Sequence, residues 1–357
     1  MSLPSDDELR PLFAAWLAKR WPDVGDLRVH AFENPKSGFS ARTIFVPIEY
    51  TRGGAPHAER VVLRLENPEP AIYPQQAPGL DVEIDIQYRV MEALAQTDCA
   101  PLAGLIGYEA DASVLGTPFF AMEYIGGDVT IENPPYTQQG FFFDASPDAR
   151  RRMITEGLRI LARVHTLDPT EAGLGWLAHP AHPPGIERQL DLWEAFGRSE
   201  LRDRTLPVFD EGVAWLRERL PRGLENRFSW GDARLGNIIF RDARPVCITD
   251  FENSAIAPAE FDLGWWLMFD RTMHESVGTA RLEGEPTRGE QRDLYCGFAG
   301  RDLGDTHFYE VLGGLRYTAI VVRVMNRAVE RGVVPADHEI WKHNPAAMAL
   351  RGLLDEA

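Results

Sequence analysis

The sequence predicts an α+β protein of two lobes, a small antiparallel β lobe with one packed helix followed by a larger, mainly helical lobe. Three observations carry this. Between Leu27 and Glu66 short β-rich runs are separated by turn-forming segments. Beyond Pro147 the apolar residues recur mostly with a 3.6-residue period. The 357 residues also exceed the roughly 150 typical of one domain.

The elements follow in order. Ser5 and Glu8 form a capping-box pattern, and Leu9, Leu12, Phe13, Trp16 and Leu17 continue it as an amphipathic helix within residues 1–26. The runs "RVHAF", "ARTIFVPIEY" and "RVVLRLE" predict three antiparallel strands, joined by "ENPKSGFS" and "TRGGAPHAE". After the Pro-rich connection "NPEPAIYPQQAPGL", Ile86, Val90, Met91 and Leu94 share one helical face, and Asp81 is placed to cap its start. "LIGYEA" and "PFFAMEYI" complete a sheet of about five strands, which gives a β-rich lobe over 27–125. In the remaining 126–357 the helical pattern is broken only by "NIIF" and "PVCITDF", read as a β pair.

The net charge of −17 and pI of about 5.0 argue against a nucleic-acid partner, since such binding needs a basic face. Cys99, Cys247 and Cys296 are too widely spaced for a zinc site or a disulfide framework. The N-terminal region lacks the basic segment of a signal peptide, and no apolar run approaches the roughly 18 residues of a membrane span. A cytoplasmic protein without membrane or nucleic-acid partners is expected.

The chemistry concentrates in "SWGDARLGNIIF" and the "ITDFE" that follows. Asp232 and Asn237 sit five positions apart in one loop, and Asp250 comes after the return strand. Two carboxylates and an amide at a hairpin mouth suit Mg²⁺, a hard cation that takes oxygen ligands together with substrate phosphates. Phosphoryl transfer needs one Asp to orient or deprotonate the attacking hydroxyl, and an Asn and a second Asp to hold metal. Asp232, Asn237 and Asp250 fit these roles in that order. A β lobe, a glycine-bearing linker at Gly126 and Gly127, and a helical lobe suit a nucleotide held between lobes.

"WGDARLGNIIF" with "ITDFENSAIAPAEFDLGWW" resembles the catalytic and metal motifs of the aminoglycoside phosphotransferase family, a branch of the protein-kinase-like fold. The resemblance runs from about Leu27 to Arg323, takes in "TPFFAMEYIGG" as the hinge and "LARVHTLDP", and is nearest the subgroup resembling kinase domains attached to acyl-CoA dehydrogenases. It implies a glycine-containing phosphate loop with Gly38 and Ser40, and Arg64 on the nucleotide phosphates in place of the usual lysine. It also implies backbone contacts from Glu123 and Ile125 to the adenine edge, and Asp262 as the brace of the catalytic loop. Arg234 lies where protein kinases carry a lysine on the transferring phosphate; pairing with a nearby acid is the other reading. Two departures stand out: Gln87 occupies the position of the glutamate that partners the lysine, with Glu83 one turn earlier, and Trp230 replaces a histidine. His165 reads as a core histidine.

The expected activity is transfer of the terminal phosphate of ATP or GTP, with Mg²⁺, to a hydroxyl of a small molecule. The alternative is a nucleotide-binding pseudokinase or scaffold. Residues 185–220 and 265–320 are expected to wall a partly apolar acceptor pocket, and most of their aromatics, among them Trp193, Phe196, Trp265 and Trp266, are expected in the core.

Overall fold

Glu8 accepts the N–H of Ser5 at 2.8 Å, and this contact starts α1 (Asp6–Arg20). The computed structural model that shows it describes residues 4–34 and 41–356. Leu9, Phe13, Trp16 and Leu17 are buried, but Leu12, predicted on the same face, is 45% exposed. The described residues group into two compact units of three stretches each. The first comprises Met1–Ala71, Gly79–Gln96 and Leu102–Gly126, and the second Ile72–Pro78, Thr97–Pro101 and Gly127–Ala357.

In the first unit five antiparallel strands form one sheet in the order β1-β2-β3-β5-β4. They are β1 (Val24–Val29), β2 (Arg42–Arg52), β3 (Ala55–Leu65), β4 (Leu105–Glu109) and β5 (Phe119–Glu123). β1 begins before the predicted Leu27. β2 and β3 pair without a break from Arg42↔Leu65 to Arg52↔Ala55 across Gly53-Gly54. Both glycines have positive φ, 59° and 80°, as a two-residue turn matching strand twist requires. On β2, Ile44, Val46, Ile48 and Tyr50 alternate inward.

Helix α2 (Glu83–Leu94) buries Ile84, Ile86, Val90, Met91 and Leu94 and packs on β4 and β5. Asp81 does not cap it. The N-cap position is Val82, and Glu66, just past the end of β3, accepts the Ile84 N–H at 3.0 Å. A carboxylate from the neighbouring strand thus replaces the local cap, because Asp81 lies one residue too early. Burial, with the charge of Glu83 added, raises the Glu66 carboxyl to about 7 against the backbone bonds and Arg64, which lower it.

The second unit begins its continuous stretch with a short helix, α3 (Phe141–Asp144), and then α4 (Pro147–Val164), capped by Ser146. α5 (Ile186–Leu201) and α6 (Pro207–Glu218) follow. The predicted β pair is present as β7 (Ile238–Arg241) and β8 (Arg244–Ile248), but a second pair was not foreseen: β6 (Asn226–Ser229) with β9 (Ala255–Pro258). β8 also stops short of the predicted "TDF", and Asp250 takes a left-handed φ of 61° that turns the chain out of the strand. α7 (Ala259–Met273) is buried along its whole length, and α8 (Arg288–Ala299), α9 (His307–Glu330) and α10 (Pro345–Asp355) complete the unit. No helix among the described residues is long and apolar enough to cross a membrane.

Candidate active site

The loop after β6 is held from behind by one carboxylate. Asp262, in the first turn of α7 and fully buried, accepts the Ser229 hydroxyl at 2.8 Å, the Trp230 N–H at 2.7 Å and the Gly231 N–H at 3.0 Å. His165, just past α4, meets the same carboxylate through Nε2 at 3.0 Å and the Tyr295 hydroxyl through Nδ1 at 2.6 Å, so its two nitrogens are occupied in the core. Burial works to raise the Asp262 carboxyl, but His165, Ser229 and Arg316 together hold it below its ordinary range. Trp230 is buried and its indole donates to the Thr249 carbonyl at 2.8 Å, tying the loop to the residue after β8.

Gly231 has to be glycine: its φ is 84°, and a Cβ there would lie 1.9 Å from the Asn253 carbonyl oxygen. Its own carbonyl accepts from Arg316 at 2.6 Å and from Asn253 at 3.1 Å. Arg316, on α9, is fully buried, with its guanidinium 4.0 Å from the Phe261 ring, 4.2 Å from Trp265 and 5.0 Å from Trp193. Burial lowers it to about 10, opposed by the charges of Asp262 and Asp232. Trp193 is a core ring beside this cation, as expected for most of the aromatics of that segment.

Asp232 is the focus of the loop and only 2% exposed. Oδ1 accepts the Trp265 indole N–H at 2.8 Å and Arg234 Nε at 2.9 Å, and Oδ2 accepts the Asn237 amide at 2.7 Å. The Tyr73 hydroxyl stands 3.5 Å from Oδ2. Burial first, and the charge of Asp250 next, raise the Asp232 carboxyl to about 6, while the Trp265 and Asn237 bonds and Arg316 oppose the rise. A carboxylate fixed by oriented donors and shifted toward neutrality is suited to take a proton from a hydroxyl.

Asn237 ends a 3₁₀ turn, Leu235–Asn237. Its amide nitrogen donates to both the carbonyl and the carboxylate of Asp232, which leaves its amide oxygen as the acceptor that could face a cation. Its backbone carbonyl accepts the Thr249 N–H at 2.9 Å, so the β7–β8 register fixes Asn237 against the segment that carries Asp250. Arg234 is shared between Asp232 and Glu132, and its guanidinium lies 5.2 Å from the Phe269 ring.

The structure therefore brings Asp232, Arg234, Asn237 and Asp250 together within the second unit. Arg64, Glu123 and Ile125 belong to the first. Arg64 pairs across the sheet with Thr43 and Phe120, and its charge acts on Glu66; Glu83 and Gln87 are both buried at the start of α2. The Glu123 N–H is already given to the Gly104 carbonyl at 2.8 Å, so only its carbonyl is left for a ligand. Gly38 and Ser40 lie outside the described residues.

Three contacts of the site were not legible in the sequence. Tyr73 sits in the Pro-rich stretch read only as a connection, Glu132 in a loop, and Arg316 in a helix whose pattern signalled core. Trp265 was singled out only as an aromatic wall; that its indole would bind Asp232 had no local signal.

The chain is similar in sequence and in fold to several known proteins. Acyl-CoA dehydrogenase family member 10 of Mus musculus is 25% identical over 256 residues, 69% of this chain and 23% of that protein. Acyl-CoA dehydrogenase family member 11 of Homo sapiens is 26% identical over 259 residues, 69% of this chain and 31% of that protein. The chain thus spans between about a quarter and a third of the length of these relatives. A solved structure from Ralstonia eutropha, provisionally described as an aminoglycoside phosphotransferase, superposes with a TM-score of 0.70 at 26% identity, covering 96% of this chain and 97% of that one. A choline/ethanolamine kinase family protein from Mesorhizobium loti gives 0.54 at 14% identity over 91% and 88% of the two chains, a likeness of fold. The fold is kinase-like, and since the profile of the phosphotransferase enzyme family matches residues 32–294, the chain belongs to that family.

Proposed function

We propose that the chain is a Mg²⁺-dependent enzyme that moves the terminal phosphate of ATP or GTP to a hydroxyl of a small molecule. The observation that carries this is the state of Asp232: buried, held by Trp265 and Asn237, and raised to about 6. Such a group serves as the orienting base for an alcohol. Proton removal is a modest part of the work, because the transition state of phosphoryl transfer is loose, so Asp232 acts chiefly by aligning the hydroxyl. Arg234, beside the carboxylate, is placed to offset charge as the phosphate arrives, on release from Glu132.

Asn237 and Asp250 supply an amide oxygen and a carboxylate, a donor set that fits Mg²⁺ completed by phosphate oxygens and water. When bound, the ion neutralises phosphate charge. Arg64, the Glu123 carbonyl and the Ile125 N–H, with Gly38 and Ser40, are assigned to the nucleotide.

The test separates the two acids. Asp250→Asn is expected to weaken Mg·ATP binding and turnover together. Asp232→Asn is expected to keep Mg·ATP affinity while slowing single-turnover phosphorylation of a working alcohol by roughly 10²–10⁴-fold. Calorimetry and rapid-quench kinetics read the two quantities. Normal turnover by Asp232→Asn, or unchanged Mg·ATP binding by Asp250→Asn, overturns the assignment; nucleotide binding with no phosphate transfer to any alcohol in a broad library leaves the scaffold reading.

A further inference from the structure

The second unit carries a groove of about 650 Å³ that shares no residue with the loop around Asp232. Three stretches build it: Thr97–Pro101, one face of α4, and the start of β8. The first is tied to the hairpin by the Ile248 N–H, which donates to the Pro101 carbonyl at 2.9 Å. Pro101, Ile160 and Pro245 give the lining its apolar part, and Arg152, Arg159, Arg163 and Arg244, against the two acids Asp98 and Glu156, leave it a positive balance.

The arginines are unevenly compensated. Arg159 donates to Glu156 at 3.1 Å and lies 4.1 Å from the Phe298 ring. Among the described residues, Arg152, Arg163 and Arg244 have no carboxylate within ion-pair distance, although the chain as a whole carries −17. In so acidic a protein most surface arginines find an acid nearby. Three that do not, around one concavity, leave a local field that attracts anions.

Spacing selects the kind of anion. Arg152 and Arg163 lie on one stripe of α4 and are separated by about 16 Å along its axis at 1.5 Å per residue. A ligand with anionic groups at two separate points matches this spacing better than a single phosphate. An extended polypeptide spans that distance in about five residues.

We propose that this groove docks an extended acidic segment of a partner polypeptide. Carboxylates about five residues apart meet Arg152 and Arg163, a further one meets Arg244, and an apolar side chain between them rests on Ile160 and the two prolines.

The probe is a fluorescent peptide of about twelve residues, Glu-Glu-Leu repeated, which offers Glu pairs five apart and Leu on both faces of an extended chain, titrated into the full chain. Saturable binding that weakens as salt is added is expected. The variant Arg152→Gln/Arg163→Gln/Arg244→Gln should lose about tenfold or more in affinity. A control, Arg10→Gln/Arg219→Gln/Arg292→Gln, removes the same charge from arginines already paired with Asp7, Glu218 and Asp293, and should bind as wild type. Arg163→Glu alone gives the same reading if the triple variant does not fold. Equal losses in groove and control variants, no binding by the wild type, or tighter binding of tripolyphosphate or a single-stranded oligonucleotide than of the peptide would overturn the proposal.

Discussion

Asp232 shows how a single carboxyl is tuned by groups the loop does not itself contain. Its position follows from Asp262 bracing the backbone, but its ionisation depends on burial and on Asp250, balanced by donors from α7 and from Asn237. The indole of Trp265 is a neutral donor to this carboxylate, and Phe keeps a ring in its place. Trp265→Phe should therefore raise the Asp232 carboxyl above its value of about 6. In the role proposed for Asp232 turnover requires the ionised form, so the acidic limb of the rate profile should move to higher pH. The rate at neutral pH should fall, by about twofold if the limb moves by about one pH unit, which takes part of a bond to a charged group worth roughly 1.5–3 kcal/mol. A limb that stays in place would show that Trp265 only packs.

At the scale of elements, two backbone arrangements invite direct tests. Gly231→Ala meets both a positive φ and the Asn253 carbonyl, so it should destabilise the fold by about 2–4 kcal/mol in a denaturant titration. Glu66 supports α2 from the end of β3, and its carboxyl is raised from the ordinary 4.5 to about 7. The folded state thus holds this proton more tightly than the unfolded chain, and its contribution to stability declines as pH rises from about 4.5 through about 7. Glu66→Gln keeps an acceptor for Ile84 and should flatten that part of the stability profile, by on the order of 1–2 kcal/mol given the partial exposure of the group. The same elements show what the sequence reveals. Alternation exposed β2, a β-branched apolar run exposed β3, and helical periodicity exposed α2 and α4. "NRFS" and "AIAP" are four residues long and wholly or partly buried without alternation, so β6 and β9 gave no periodic signal. Asp232, Asn237 and Asp250 stood out as polar residues clustered beside apolar runs. Tyr73 and Glu132 did not, because only tertiary structure brings them to the loop.

Across the whole molecule, the net charge of −17 opposes compaction through self-repulsion. Moderate salt, by screening it, should raise the melting temperature by a few degrees in a calorimetric scan; a fall would place the balance with surface ion pairs such as Arg217 with Asp191 and Glu194. The division into two units has a further consequence for the order in which the chain is made. Tyr73 meets Asp232 across 159 residues, and Gln76 meets Gln189 across 113, although both early residues leave the ribosome amid the strands of the first unit. Until translation reaches the catalytic loop, Ile72 and Ala77, buried in the finished protein, have no core to enter. A gene break at Gly126 would strand Ile72–Pro78 and Thr97–Pro101 on the wrong product.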